Sequence, residues 1–302
     1  MEEWRAVSRV LKSPVQLARA AYDDLVTTFF PADCKACGGP LLRAGSSPLC
    51  DSCLDSLRAQ TAALCVRCGE ALDIDAPRLA AQFGSDSLRC APCRLAPPEF
   101  ERAAAWGLYE DQMRELIHLL KYEGMRSAAE PLGRLLAGTI ETLAEETQSS
   151  GEAMSRDLVM IAVPLFPSKL RQRGYNQSVL LAEVALRDLM RNKAGWNLQA
   201  AHNAMQRTRD TDSQFELTPS GRRRNLRGAF DVIDPAAITG RDVLLVDDIY
   251  TTGATARECA RVLRRAGAER VWVATVSRAQ REMVTTWDSH DHAAQTAAWD
   301  AG

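Results

Sequence analysis

One stretch, VLLVDDIYTTGAT at positions 243–255, constrains the fold of this chain more than any other feature. Its four leading apolar residues predict a strand that is buried on both faces, as in a parallel sheet. Asp247 and Asp248 follow at the carboxyl end of that strand, which is where open α/β sheets bind their ligands. A threonine-rich turn then leads into a helix, and the N-terminus of a helix attracts anions.

This stretch has the chemistry to bind a phosphorylated sugar. The two carboxylates can accept hydrogen bonds from vicinal ribose hydroxyls, directly or through Mg²⁺. Gly253 lets the backbone approach a ligand closely. The backbone N–H groups expected to face a phosphate belong to Thr251, Thr252, Gly253, Ala254 and Thr255. The alternative is a generic strand–turn–helix with two solvated acids, and we favour the phosphate site because the complete ordered pattern is rarer than any of its parts.

The rest of the chain alternates predicted strands with predicted helices. Met113, Leu116, Ile117 and Leu120 have the i, i+3, i+4, i+7 spacing of an amphipathic helix. Strands are predicted at 103–109, 158–163, 242–246 and 271–276, and further helices at 128–146, 178–191 and 255–266. The alternation predicts an α/β fold with a parallel sheet and right-handed crossovers.

Eight of the nine cysteines form four C-x-x-C pairs, and two such pairs complete a zinc site with four thiolate ligands. The pairs are Cys34/Cys37, Cys50/Cys53, Cys65/Cys68 and Cys90/Cys93. Disulfides are the rival interpretation, and a reducing compartment opposes them. The spacing leaves open one structural zinc or two. It also leaves open sequential pairing or crossed pairing, in which the first pair joins the third and the second joins the fourth.

Composition and sequence order indicate which partners and which cellular location to expect. The formal net charge of -2 gives no overall basic field that would attract nucleic acid. No apolar run reaches the ~18 residues of a membrane span, and the N-terminus, with Glu2 and Glu3, lacks a signal-peptide core. We therefore expect a cytoplasmic protein without a membrane span. Its predicted parts are a helical segment at 1–30, a cysteine-rich zinc-binding module at 31–97, an α/β domain at 98–279 and a mobile tail at 280–302.

Two basic segments are candidate ligand sites. Lys169, Arg171 and Arg173 follow the strand that ends near Pro164, and arginine binds phosphate bidentately. The alternative for them is a solvated basic stretch. Lys121 either reaches a phosphate or caps its helix. A polar segment at 203–227 is interpreted as a lid, as a disordered connector or as a track for single-stranded nucleic acid, and it carries Arg207, Arg209, Arg222, Arg223, Arg224 and Arg227.

The stretch at 243–255 resembles the phosphoribosyl-diphosphate (PRPP) signature of type I phosphoribosyltransferases. Over residues 25–280 the chain is similar to the ComF family, which is linked to natural competence. Beyond the cysteine pairs, the similarity lies in LLKYEG at 119–124, VPL at 163–165, RQRGYNQ at 171–177, Arg207-Thr208-Arg209, Gln214, Arg224-Asn225 and Gly228-Ala229-Phe230. The segment Leu165-Phe166-Pro167 departs from the family pattern, which more often shows Pro-x there.

The resemblance implies a type I phosphoribosyltransferase fold with an N-terminal double zinc ribbon. Asp247 and Asp248 would hold the ribose hydroxyls, and the turn at 251–255 the 5′-phosphate. Arg171 and Arg173 would contact the diphosphate, and Arg207 and Arg209 would act from a lid. The implied function is displacement of diphosphate from Mg·PRPP by an unknown nucleophile. The alternative is a non-enzymatic competence factor that binds single-stranded DNA or a helicase partner.

Overall fold

The computed structural model describes residues 32–41, 47–61, 63–72, 88–149, 151, 154–192, 197–210 and 226–280. The predicted helix at 1–30 and the predicted tail beyond 280 lie outside the described residues, as do Gln214 and Arg222 to Asn225. The division of the chain near residue 97 stays a prediction. Among the described residues, no helix is both long enough and apolar enough to cross a bilayer.

A sheet of five parallel strands forms the centre of the molecule, in the order β1-β7-β6-β2-β3. The strands are β1 Arg102–Leu108, β2 Asp157–Ala162, β3 Asn197–Ala200, β6 Asp242–Tyr250 and β7 Arg270–Arg278. A separate antiparallel hairpin pairs β4 Met205–Arg207 with β5 Phe230–Val232. The predicted α/β fold with a parallel sheet is confirmed.

Helices cover both faces of the sheet. In β6, Leu244 and Val246 pack against one set of helices, while Val243 and Leu245 face the opposite side. This two-sided burial is why the strand is a continuous apolar run. The first face is covered by α3 Asp111–Tyr122, α4 Ala129–Ser149 and α6 Gln177–Asn192, and the second by α7 Ala254–Arg265.

The strand that carries the acidic pair is longer than predicted. The apolar pattern predicts its end at Val246, but β6 continues through both acids to Tyr250. Its neighbour β7 extends equally far, and Tyr250 is paired with Arg278. The strand pairing therefore continues past the apolar residues that predicted it, and the threonine-rich turn begins directly at the end of a paired strand.

The basic stretch after β2 is a short helix. The helix is α5 Pro167–Arg173, with proline in its first turn, where the missing N–H costs nothing. Gly174 ends it with a φ of 78°, a left-handed conformation that suits glycine. Lys169, Arg171 and Arg173 are therefore carried by a helix that leads directly into α6.

The cysteine-rich segment covers the β1 edge of the sheet. The backbone N–H of Gln60 donates to the Trp106 carbonyl at 2.9 Å, and that of Ala103 donates to the Arg67 carbonyl at 2.9 Å. A Cβ at Gly107 would lie 2.6 Å from the Arg58 carbonyl oxygen, so glycine is required for this approach. An edge paired in this way is not available for association with another strand. Two short helices belong to the segment, α1 Asp51–Asp55 and α2 Ala91–Leu95.

Candidate functional site

The turn after β6 forms the N-terminus of α7. Gly253 is the residue that precedes the helix, and its φ is 73°. The backbone N–H groups of the first helical turn have no partners within the helix and remain available to an anion. Thr251, Thr252 and Thr255 are half-buried, so the turn is accessible. It borders a cavity of about 20 Å³ that also touches Asp247.

Two helices from the first face hold the acidic pair in place. The Ser178 hydroxyl on α6 donates to Asp247 Oδ1 at 2.9 Å, and the Asp248 N–H donates to the same oxygen at 2.9 Å. Lys121 Nζ, near the end of α3, lies 2.7 Å from Asp248 Oδ1. The Lys121 side chain is 16% exposed and that of Asp248 is 5% exposed, so this is a buried ion pair.

The site has an unusual charge balance. Burial raises the pKa of Asp247 to about 7, and the charge of Asp248 adds to this. Lys121 and the hydrogen bonds from Asp248 and Ser178 act in the opposite direction. Asp247 therefore gains or loses its proton close to neutral pH, next to the positive charge of Lys121.

Two polar atoms of the site are buried without a hydrogen-bond partner among the described residues. They are Asp248 Oδ2 and Thr252 Oγ1. A buried polar atom without a partner costs about 1–3 kcal/mol, so a ligand that bonds to both would recover that energy. Carboxylate oxygens are also the ligands that Mg²⁺ prefers. The donor set therefore fits a hydroxyl-bearing, phosphorylated ligand together with Mg²⁺.

The structure brings Arg207, but not Arg209, toward this pair. The Arg207 guanidinium lies 5.5 Å from the Phe230 ring centroid. Burial lowers the pKa of Arg207, while the carboxylates of Asp210 and Asp247 act in the opposite direction. Arg209 is exposed and donates to the Arg227 carbonyl across the hairpin at 2.7 Å.

The cations of α5 lie beside the C-terminal end of α3. Arg173 donates to Gln177 and lies 5.6 Å from the Tyr122 ring centroid, whereas Arg171 is exposed. The Ser168 hydroxyl donates to Asp210 at 3.0 Å and so joins α5 to the end of the hairpin. The Lys121 ammonium is paired with Asp248, and its contact with a phosphate stays a prediction.

Sequence reasoning missed Ser178 as a partner of the acidic pair. Asn176 places it, since its side chain accepts from the Ser178 N–H at 2.9 Å and donates to the Val163 carbonyl at 2.9 Å. The Tyr175 hydroxyl donates to the Leu120 carbonyl and ties the same loop to α3. An asparagine before an apolar periodic run is an N-cap signal, so the motif RGYNQ followed by serine contained the information.

The cysteines form two separate groups of four, and the sequential pairing is the observed one. In each group, the four sulfur atoms all lie within 4.8 Å of one another. Cys37 and Cys50 are 3.7 Å apart, and Cys68 and Cys90 are 3.6 Å apart. Tetrahedral zinc with Zn–S bonds of about 2.3 Å requires sulfurs about 3.8 Å apart. The residues therefore fit two structural zinc ions. The first cluster is Cys34, Cys37, Cys50 and Cys53, and the second cluster is Cys65, Cys68, Cys90 and Cys93.

The two clusters are copies of one structural unit. In the first, the Cys50 N–H donates to Cys34 Sγ at 3.3 Å, and in the second the Cys90 N–H donates to Cys65 Sγ at 3.3 Å. The glycines after Cys37 and Cys68 both have a φ of 71°. The third cysteine of each cluster precedes a five-residue helix, α1 or α2. This repetition matches the double zinc ribbon implied by the resemblance.

We expect two zinc ions per chain, because each cluster supplies a complete set of four thiolates. Cys50→Ser should lower the content to one, and native mass spectrometry counts the ions directly. A wild-type chain with one zinc, or with disulfides after purification in reductant, would contradict the assignment.

Comparisons with known proteins agree with this architecture. A family model described as the phosphoribosyl transferase domain matches residues 201–300. The DNA utilization protein YhgH of Escherichia coli is 33% identical over 243 residues, which cover 80% of this chain and 95% of that protein. Competence protein F of Haemophilus influenzae is 28% identical and covers 83% of this chain and 99% of its own length. Competence protein ComFC of Bacillus subtilis is 23% identical, with coverages of 72% and 79%.

Proposed function

The chain belongs to the ComF family of competence-linked, phosphoribosyltransferase-like proteins, and from that premise we propose that it binds Mg·PRPP at the acidic pair and the turn after it. One observation carries the proposal. Asp248 Oδ2 and Thr252 Oγ1 are both buried without a hydrogen-bond partner among the described residues, and Thr252 lies in the turn that leads into the N-terminus of α7. A pentose that carries hydroxyls and a 5′-phosphate supplies the groups that these atoms lack.

In the proposed reaction, each residue positions or stabilises rather than attacks. Asp247 and Asp248 accept hydrogen bonds from the ribose hydroxyls, and the turn at 251–255 binds the 5′-phosphate. A nucleophile forms a bond to the anomeric carbon while the bond to diphosphate breaks. The diphosphate leaves with the electron pair, and the proton of the nucleophile passes to solvent.

The diphosphate leaving group carries negative charge, and the reaction therefore requires cations close to it. Arg207 lies near Asp247, and Arg171, Arg173 and Arg209 are the further guanidiniums proposed to meet the diphosphate. Bound Mg²⁺ adds charge neutralisation there. Such chemistry depends on orientation and electrostatic stabilisation, which fits a site whose described residues include no nucleophile and base arranged as a triad.

The experiment that tests this proposal is a calorimetric titration of the zinc-loaded chain with PRPP. We expect one saturable site that requires Mg²⁺ and binds ribose 5-phosphate more weakly. A panel of bases and amines then tests turnover through release of diphosphate. If PRPP does not bind, the proposal fails. If PRPP binds but is not consumed with any acceptor, the enzyme part of the proposal fails.

Affinity for Mg·PRPP should depend on pH in a predictable direction. The pKa of Asp247, raised to about 7 by burial and by Asp248, means that the residue gains a proton as pH falls through 7. A protonated carboxyl is the weaker hydrogen-bond acceptor, so the affinity should be constant above pH 8 and fall up to about tenfold per unit below pH 7.

Asp247→Asn is the matched control for that titration, since its side chain carries no titratable proton. At pH 8 we expect it to bind roughly 10- to 150-fold more weakly than wild type, because a charge-assisted hydrogen bond contributes about 1.5–3 kcal/mol. Its affinity should vary only with the ligand phosphate, whose pKa is about 6. If the affinity of both proteins changes equally with pH, protonation of Asp247 is not the cause of the pH dependence.

A second candidate function is favoured by the relatives' own names, which refer to DNA utilization and competence. In this alternative, the chain is a non-enzymatic cytoplasmic factor that binds single-stranded DNA or a helicase partner. Binding of single strands should then weaken steeply with salt, because each phosphate contact releases counterions. Absence of single-strand binding at low ionic strength would count against it.

A further inference from the structure

The second cluster lies directly behind the phosphate turn. Tyr250, the last residue of β6, connects the two. Its ring packs so closely on Gly253 that a Cβ there would lie 2.1 Å from the Tyr250 hydroxyl oxygen. The Arg278 guanidinium lies 4.5 Å from the centroid of the same ring. The side chain of Tyr250 is thus held between the turn and an arginine from β7.

Arg278 in turn contacts the second cluster. It is 2% exposed, and its Nη1 donates to the Cys68 carbonyl at 2.5 Å. Its Nη2 pairs with Glu70 and lies 3.9 Å from Cys68 Sγ. A buried guanidinium without such partners would be costly. The position of Arg278, and with it that of Tyr250, therefore depends on where residues 68–70 are held.

A second connection enters from the other end of the turn. Arg257 lies in the first turn of α7, two residues after Thr255. Its Nη1 donates to the Ala96 carbonyl at 2.6 Å, and its Nη2 lies 3.7 Å from Cys93 Sγ. Both ends of the phosphate turn are thus joined to the second cluster through an arginine.

The first cluster has a different environment. Cys34 and Cys53 pack into the core on the face that carries α3, α4 and α6, and Cys37 is exposed. The thiol of Cys50 is 3.1 Å from the Ser52 hydroxyl within its own unit. All four cysteines of the second cluster instead belong to the same core as Tyr250 and Ala254.

We propose that the second cluster is a structural part of the sugar-phosphate site, and that it holds the turn at 251–255 in position through Arg257, Arg278 and Tyr250. These three are positioning residues. Four thiolates around one ion form a rigid, net negative partner for both guanidiniums, and loss of the ion removes that fixed geometry. The first cluster has no such connection to the turn in the contacts described above. The ligand in this inference rests on the proposed function, whereas the link between cluster and turn does not.

The test compares Cys90→Ser with Cys50→Ser, which remove the equivalent ligand from the two copies of the same unit. Amide hydrogen exchange over residues 249–257 reports on the turn without any ligand. Calorimetry with Mg·PRPP reports on binding. We expect Cys90→Ser to speed exchange there at least tenfold and to weaken binding at least tenfold. Cys50→Ser should change both by less than about twofold. Equal effects of the two variants would overturn the proposal.

Arg257→Gln provides a test that leaves all eight cysteines in place and decides the matter if Cys90→Ser does not fold. It should retain two zinc ions while exchange at 251–257 rises at least threefold, and Arg265→Gln on the same helix serves as its control. Unchanged exchange in Arg257→Gln would overturn the proposal. If wild type does not bind PRPP but exchange still responds, the proposed function fails and the link between cluster and turn stands.

Discussion

Gly253→Ala should weaken binding of Mg·PRPP by at least 100-fold. The residue has a φ of 73°, which costs an alanine roughly 1–2 kcal/mol. Its Cβ would also lie 2.1 Å from the hydroxyl oxygen and 2.5 Å from the ζ-carbon of Tyr250, which cannot move freely because Arg278 packs on the same ring. The turn must therefore shift, and its N–H groups leave the positions in which they bind phosphate.

Gly240→Ala is the matched control for that substitution. Gly240 has a φ of 68°, and a Cβ there would meet nothing within 4 Å. It carries the same backbone strain without the steric conflict, and it lies just before the opposite end of β6. We expect a similar strain cost in stability and PRPP affinity within about twofold of wild type. Calorimetry on both variants is the measurement, and a Gly253→Ala protein that binds normally would exclude the turn as the phosphate site.

Strands β2, β6 and β7 of the central sheet were predictable because they are buried on both faces. Burial makes each strand an apolar run, as at Leu158 to Val163, and the intervening helices have their own 3.6-residue periodicity. Strands β3, β4 and β5 have only three or four residues each. Three or four residues are too few to show the two-residue alternation of a strand. These strands are therefore recognised by the strands they pair with and not by their sequence.

The residues of the candidate site that face the ligand were predictable from the sequence. The residues that hold them in place, Ser178 and Lys121, were not. Asp247, Asp248 and the threonine turn form one continuous stretch, so their proximity follows from chain order. Their partners are distant in the chain: Ser178 lies 69 residues from Asp247, and Lys121 is farther still from Asp248. Only the folded sheet brings them together. The cysteine pairing was open for the same reason, because both groupings satisfy the spacing and tertiary structure selects one.

Lys121→Met should lower the free energy of unfolding by about 3–5 kcal/mol at pH 8. Breaking a buried ion pair by removing one partner leaves the other charge uncompensated, and the usual cost is of this size. Here the remaining charge is Asp248, 5% exposed and next to Asp247 in the chain. Methionine and lysine have similar helix propensities, so α3 itself should not be weakened.

The double variant Lys121→Met/Asp248→Asn separates this electrostatic effect from packing. With both charges removed, no buried charge remains unpaired, and most of the lost stability should return. Urea unfolding of wild type, both single variants and the double variant gives the coupling energy between the two side chains. A coupling below about 1 kcal/mol, which is typical of exposed pairs, would mean that Lys121 is not the cation that balances the acidic pair. The charge on Asp248 would then have to be balanced by another group.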